Sequence, residues 1–150
     1  MERKNEHAFE HLWRYFQLHS QQRMTVFNFY LVISGMTATG IGFGFQQGGG
    51  YHYVVSLLGF FLLMTSFIFW KLDQRGAMLV KEAESAFVYL EKFQMNEEYS
   101  LFMIDSKNKL LSRSLKSVWS FGRCFRYSFF LMGYVGFICI FLPFIIKTME

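Results

Sequence analysis

Residues 24–45 read MTVFNFYLVISGMTATGIGFGF, a stretch without a single Asp, Glu, His, Lys or Arg. A helix needs about 20 mostly apolar residues to cross roughly 30 Å of hydrocarbon, because each backbone amide must find its partner inside the segment. This stretch qualifies, and so do Tyr53 to Trp70 and Phe129 to Ile146, the last interrupted only by Pro143 near its end. Between the first two lies Gln46-Gln47-Gly48-Gly49-Gly50-Tyr51-His52, a glycine-rich turn too short for a domain. Runs one and two therefore form a helical hairpin. The chain reads as an all-α membrane protein with three transmembrane helices, an N-terminal amphipathic helix and a cytoplasmic helical segment. Its divisions are a cytoplasmic N-terminal helix (1–23), the hairpin (24–70), a cytoplasmic helical segment (71–126) and the third transmembrane helix with a short external tail (127–150).

Composition agrees with this reading. Of 150 residues 53% are hydrophobic and 21% aromatic, while only 17% are charged, against about a quarter in an average soluble domain. A chain so apolar cannot stay disordered in water, and one Pro excludes a collagen-like repeat. Cys124 and Cys139 sit in or beside one apolar run, which leaves neither a disulfide framework nor a CxxC metal site.

Orientation follows from Lys and Arg, which are retained on cytoplasmic flanks. Arg3, Lys4, Arg14 and Arg23 precede the first run, the Gly turn has none, ten lie from Lys71 to Arg126, and Lys147 alone follows the third. The N-terminus and residues 71–126 are thus expected on the cytoplasmic side, with the turn and the C-terminus outside. Twenty-three mostly polar and aromatic residues precede the first run, and no small-residue cleavage pattern follows it, so it reads as a retained span rather than a signal peptide. Tyr30, Tyr51, Tyr53, Trp70, Trp119 and Tyr127 lie near the proposed boundaries, where interfacial aromatics concentrate.

Two cytoplasmic patterns stand out. Phe9, Leu12, Trp13 and Phe16 share one face of a helix over 5–22, able to lie on the membrane surface or to cap other helices. Leu79, Ala83, Ala86, Leu90 and Phe93 repeat at 4-3-4-3 spacing, the a and d positions of a short coiled coil, with Lys81, Glu82, Glu84 and Glu91 off that seam. Two heptads leave open whether the seam meets a second copy or the N-terminal helix of the same chain. Further on, Lys107, Lys109, Arg113, Lys116, Arg123 and Arg126 alternate with apolar residues. They suit anionic headgroups at about 1 kcal/mol per basic residue, or serve as positive flanks of the third span. No RNP or helix-turn-helix pattern accompanies them, so no nucleic-acid partner is expected.

The search for chemistry ends early. His7 and His11 stand at i, i+4, but two ligands without a third make no metal site, and no HExxH string exists. Arg14 and His19 share the R-x4-H spacing of HEPN ribonucleases, a spacing common by chance, and the string ends five residues before a span. Walker, GxSxG and phosphate-loop strings are missing. The spans hold no Asp, Glu, His, Lys or Arg, the groups on which proton-coupled transport relies. No enzyme activity, metal or cofactor is expected. The sharpest signal concerns assembly: Ser34, Ala38 and Gly42 form a small-xxx-small ladder, with Gly40 and Gly44 a GxxxG pair beside it. Such a ladder serves either a homo-oligomer or close packing within one copy. Asn28, Thr37 and Thr39 are the candidates to line a pore, with Ser34 available to join them.

The strings His11-Leu-Trp-Arg-Tyr-Phe-Gln-Leu-His19, Gln22-Arg23-Met24, Phe27-Asn28-Phe29, Lys71-Leu-Asp-Gln-Arg75 and Glu82-Ala-Glu84 through Leu90-Glu91 carry a resemblance. Over roughly residues 7–93 the chain resembles a family of small bacterial inner-membrane proteins that occur among anti-phage defence genes. The resemblance implies an abortive-infection effector: after infection is sensed, subunits assemble in the lipid bilayer and compromise its barrier as a pore or lesion. It also implies a trigger, either a phage structural protein such as a portal ring or a host sensor. The competing class is a nonlytic scaffold or accessory subunit, anchoring a partner through residues 71–126.

Overall fold

The computed structural model describes residues 2–47, 49–94, 101–105 and 120–149. Among these, all regular structure is helical: α1 (Glu2–Gln47), a 3-10 turn (Gly49–Tyr51), α2 (His52–Gln94), a short turn of helix α3 (101–105) and α4 (Phe121–Met149). Three of them, α1, α2 and α4, are long and apolar enough to cross a membrane, and the chain is a helical membrane protein. At 1.5 Å per residue, α1 is about 69 Å long and α2 about 64 Å, roughly twice the hydrocarbon thickness, so only part of each can lie in lipid.

Two differences from the expected elements have simple causes. The amphipathic N-terminal stretch is the first half of α1, not an element of its own. The polar residues Ser20-Gln21-Gln22-Arg23 contain neither Pro nor Gly, so nothing there breaks a helix. At the other end, Pro143 lies inside α4, which continues to Met149. Proline removes one amide and crowds the preceding turn, and in lipid a neighbouring hydroxyl must make good the loss. The carbonyl that loses its donor is that of Cys139, and one residue on, Ser56 of α2 donates to the Ile140 carbonyl at 3.0 Å.

The chain divides into two compact units. The first comprises Met1–Arg23 and Arg75–Ser120. Its centre is Phe87, fully buried, with Phe9, Trp13 and Phe16 around it in T-shaped contact at ring separations of 5.4, 6.1 and 6.0 Å. Ala83, one turn earlier on α2, is buried too. On the outer surface of α1, Arg14 bonds Glu10 at 2.6 Å, an exposed i, i+4 pair.

The second unit comprises Met24–Gln74 and Phe121–Glu150. The short turn Gly49–Tyr51 joins α1 to α2, and a connection of this length makes the flanking helices antiparallel neighbours. One cluster gathers Tyr30, Phe125 and Phe129 with Phe27 stacked on Phe125 at 3.9 Å. The other gathers Ile41, Val55, Leu62 and Cys139. Lipid is as apolar as these side chains, so close fit and hydrogen bonds hold such helices together. The closest approach of backbones occurs where α2 meets α4: a methyl on Gly136 would stand 2.7 Å from the Gly59 carbonyl oxygen and 2.9 Å from the Leu63 nitrogen. Only glycine lets these backbones approach so far.

Candidate self-association surface

On α1 between Tyr30 and Gly44 the inward face is Tyr30, Ser34, Thr37, Ile41 and Gly44, all buried and spaced 4-3-4-3. The outward face is Asn28, Val32, Gly35, Thr39 and Gly42, all exposed and in the same spacing. A 4-3 alternation follows one side of an α-helix, whereas a constant step of four turns by about 40° each time. The expected ladder therefore splits: Ser34 is buried, Ala38 half-buried and Gly42 exposed, with no atom of the described residues within 4 Å of a methyl placed on it. Its companions Gly40 and Gly44 face α2. A methyl there would come within 3.1 Å of Leu58 and 2.5 Å of Val55 respectively.

The hydroxyl groups sort in the same way. Tyr30 and Ser66 are 3.0 Å apart, and the Tyr30 hydroxyl also reaches the Ser128 carbonyl at 3.4 Å, which ties all three helices of this unit together. Ser34, only 2% exposed, has a hydroxyl with no hydrogen-bond partner among the described residues, and Thr37 turns its hydroxyl back to the Ile33 carbonyl at 2.8 Å. Of the three pore-lining candidates, Thr37 thus lies inside the unit. Asn28 and Thr39 face outward, Thr39 with its hydroxyl on the Gly35 carbonyl at 2.9 Å.

In the first unit the predicted seam is partly buried. Ala83 is buried, Leu79, Ala86 and Leu90 are half-buried, and Phe9, Trp13 and Phe16 of α1 close on Phe87 beside it, with Leu12 half-buried. The four aromatic and aliphatic residues expected at a membrane surface thus sit on the helix that contacts α2, three of them directly against Phe87. Glu91, placed off the seam by spacing, is buried and accepts hydrogen bonds from α3. The basic candidates Lys107, Lys109, Arg113 and Lys116 lie outside the described residues. His7 and His11 are exposed, and among the described residues no three His, Cys, Asp or Glu side chains gather at metal-binding distance. Lys71 lies over the Trp70 ring at 4.6 Å, a cation and an aromatic side by side at the end of the second apolar run.

Sequence reasoning passed over Ser56, Gly59, Ser66, Gly133 and Gly136, which form the α2–α4 contact. Their signal was the pairing of small residues at i, i+3 on both helices, Ser56 with Gly59 and Gly133 with Gly136, a shorter step than the fourfold ladder.

With these surfaces described, comparison with known proteins gives one result. An Escherichia coli protein named CD-NTase-associated protein 19 is 48% identical over 141 residues, covering 94% of this chain and 93% of that protein. The chain belongs to the family of CD-NTase-associated protein 19. No protein-family model and no solved structure matches it. The setting of the CD-NTase-associated protein 19 family is anti-phage defence, in the CBASS system. In this member of the CD-NTase-associated protein 19 family, the outward α1 face is exposed and the α2 seam is partly buried.

Proposed function

We propose that this chain is an effector of anti-phage defence that self-assembles in the bacterial inner membrane and breaches it after infection is sensed. The observation that carries the reading is the outward α1 face: Gly35 and Gly42 are unobstructed, and Asn28 and Thr39 are exposed beside them. Small residues let helices approach closely in lipid, and a carboxamide and hydroxyl on the same face favour pairing with a like surface over lying against acyl chains. Copies paired in this way can enclose a lumen that one copy cannot, with Asn28 and Thr39 among the groups available to water. The chain acts by association rather than by catalytic turnover, alongside a CD-NTase, as the name of its relative says of that protein. Its N-terminus is cytoplasmic and its C-terminus external.

The test is expression in a bacterial host with a membrane-potential dye, with and without phage, while oligomer size is followed by native electrophoresis in mild detergent. Depolarisation that follows assembly and disappears in Gly42→Leu is the expected result. Assembly with an intact potential overturns the breach and makes the protein a scaffold. No change of size on infection overturns both.

A further inference from the structure

The outward face of α1 has a counterpart on α4. Phe130, Tyr134, Phe137, Phe141 and Phe144 follow one another at 4-3-4-3 spacing, which keeps them on one side of the helix, and all five are exposed. Phe130 touches Trp70 and Phe144 touches Tyr53, both on α2. Between them Tyr134, Phe137 and Phe141 stand out from the unit at 67, 50 and 52% exposure. Acyl chains suit the rings but offer the Tyr134 hydroxyl no hydrogen bond.

Helices α1 and α4 run in the same direction, and their contacts fix their relative height. Phe27 stacks on Phe125, the Tyr30 hydroxyl reaches the Ser128 carbonyl, and Ile41 shares a cluster with Cys139, each pair 98 residues apart. By that offset Val32 and Thr39 stand level with Phe130 and Phe137. Gly35 and Gly42 fall one residue, about 1.5 Å, from the levels of Tyr134 and Phe141. Two exposed glycines on α1 and two exposed rings on α4 thus share both their spacing and their height.

A contact between identical faces is completed by two copies, whereas a larger ring needs two different faces on each copy. Rotation about an axis along the membrane normal keeps every copy at one height, so only faces matched in height meet around such a ring. We propose that the aromatic face of α4 docks on the glycine face of α1 in the next copy, Tyr134 against Gly35 and Phe141 against Gly42. The inference rests on the assembly reading above and adds which unlike surfaces meet. Nothing among the described residues stands within 4 Å of a methyl on either glycine, so each leaves room for a ring. In lipid, where burial of apolar surface drives nothing, such fit of large into small side chains holds helices together. The α1 face also offers the Tyr134 hydroxyl the polar groups of Asn28 and Thr39 in place of acyl chains.

The experiment is disulfide cross-linking in cells, with and without phage, in the full-length chain carrying Cys124→Ser and Cys139→Ala. Two chains with tags of different size are expressed together, one with Gly42→Cys and the other with Phe141→Cys. A second pair carries Gly35→Cys and Tyr134→Cys. Cysteines are bridged only when their Cα atoms lie within about 7 Å, whereas the mismatched pair Gly42→Cys with Tyr134→Cys is offset by about 9 Å along the helices. The expected result on infection is a mixed-size product from both matched pairs, at least tenfold above the mismatched pair, with little product from any chain expressed alone. Gly42→Cys linked chiefly to itself overturns the proposal in favour of like faces. Equal yields from matched and mismatched pairs overturn it, and so do enlarged oligomers without mixed product, which leave α4 facing lipid. If one matched pair fails to reach the membrane fraction, the other decides. Failure of both overturns the proposal, since positions outside the packed interior must tolerate cysteine. Mixed product with an intact membrane potential sustains the contact and overturns the breach, and depolarisation without mixed product does the reverse.

Discussion

Gly136 and Gly42 are both glycines in a membrane span, yet a side chain would mean opposite things at the two. At Gly136 the obstacles are backbone, the Gly59 carbonyl and the Leu63 amide, which cannot swing aside as a flexible side chain can. Gly136→Ala is expected to cost about 2 kcal/mol by overpacking and to lower the thermal midpoint of the protein in detergent. At Gly42 nothing among the described residues stands within 4 Å, so Gly42→Leu is expected to leave that midpoint unchanged while reducing assembly. Gly44→Leu, directed at Val55, is expected to lower the midpoint as Gly136→Ala does. A midpoint that falls as far for Gly42→Leu as for Gly44→Leu would remove the distinction between inner and outer faces.

At the scale of elements, the aromatic cluster on Phe87 joins the first half of α1 to the second half of α2. Truncating a fully buried ring leaves a cavity that neighbours refill only in part, so Phe87→Ala is expected to cost about 4 kcal/mol within the first unit. Limited proteolysis should then cut residues 5–20 at protease levels the wild type resists. Arg14→Ala is the matched control: its ion pair is exposed, and such pairs contribute at most about 0.5 kcal/mol on a helix surface. The helices themselves were legible because each apolar run exceeds the length lipid demands, and α2 could be followed to its end through Leu79, Ala83, Ala86 and Leu90. The junction in α1 was not. Ser20 to Arg23 is a change in polarity without a change in helix propensity, and polarity alone sets no boundary.

For the whole molecule, the lysine and arginine distribution makes a direct prediction about sidedness. In a Cys124→Ser, Cys139→Ala background, Gly50→Cys is expected to react with a membrane-impermeant maleimide in intact cells, and His7→Cys only after the inner membrane is permeabilised. The reverse pattern would refute the orientation. Much of the candidate surface was legible too, in that Gly42, Asn28 and Thr39 were singled out by residue type. What spacing did not resolve was the side each would occupy, because a step of four drifts around the helix and the partner helices decide which drifted position is covered. Nor did spacing reveal Glu91 as an acceptor for α3, since its partners are backbone amides, and backbone amides leave no mark in a sequence.

The hydroxyl-bearing interior of the second unit has one further consequence. Tyr30, Ser34, Thr37, Thr65 and Ser66 lie inside, while Phe29, Leu31, Val32, Phe60, Phe61, Phe130 and Leu131 lie outside. In this unit the solvent-facing shell is the oily one, and the selective contacts are buried hydroxyls and glycines. Entering the bilayer and choosing neighbours are then separate events: each helix is stable in lipid before it has met the others. Heating in detergent should uncouple the two. Tryptophan emission, from Trp70 at the edge of the aromatic cluster among others, should change at a temperature where ellipticity at about 222 nm has hardly moved. What is lost first is company, not helix.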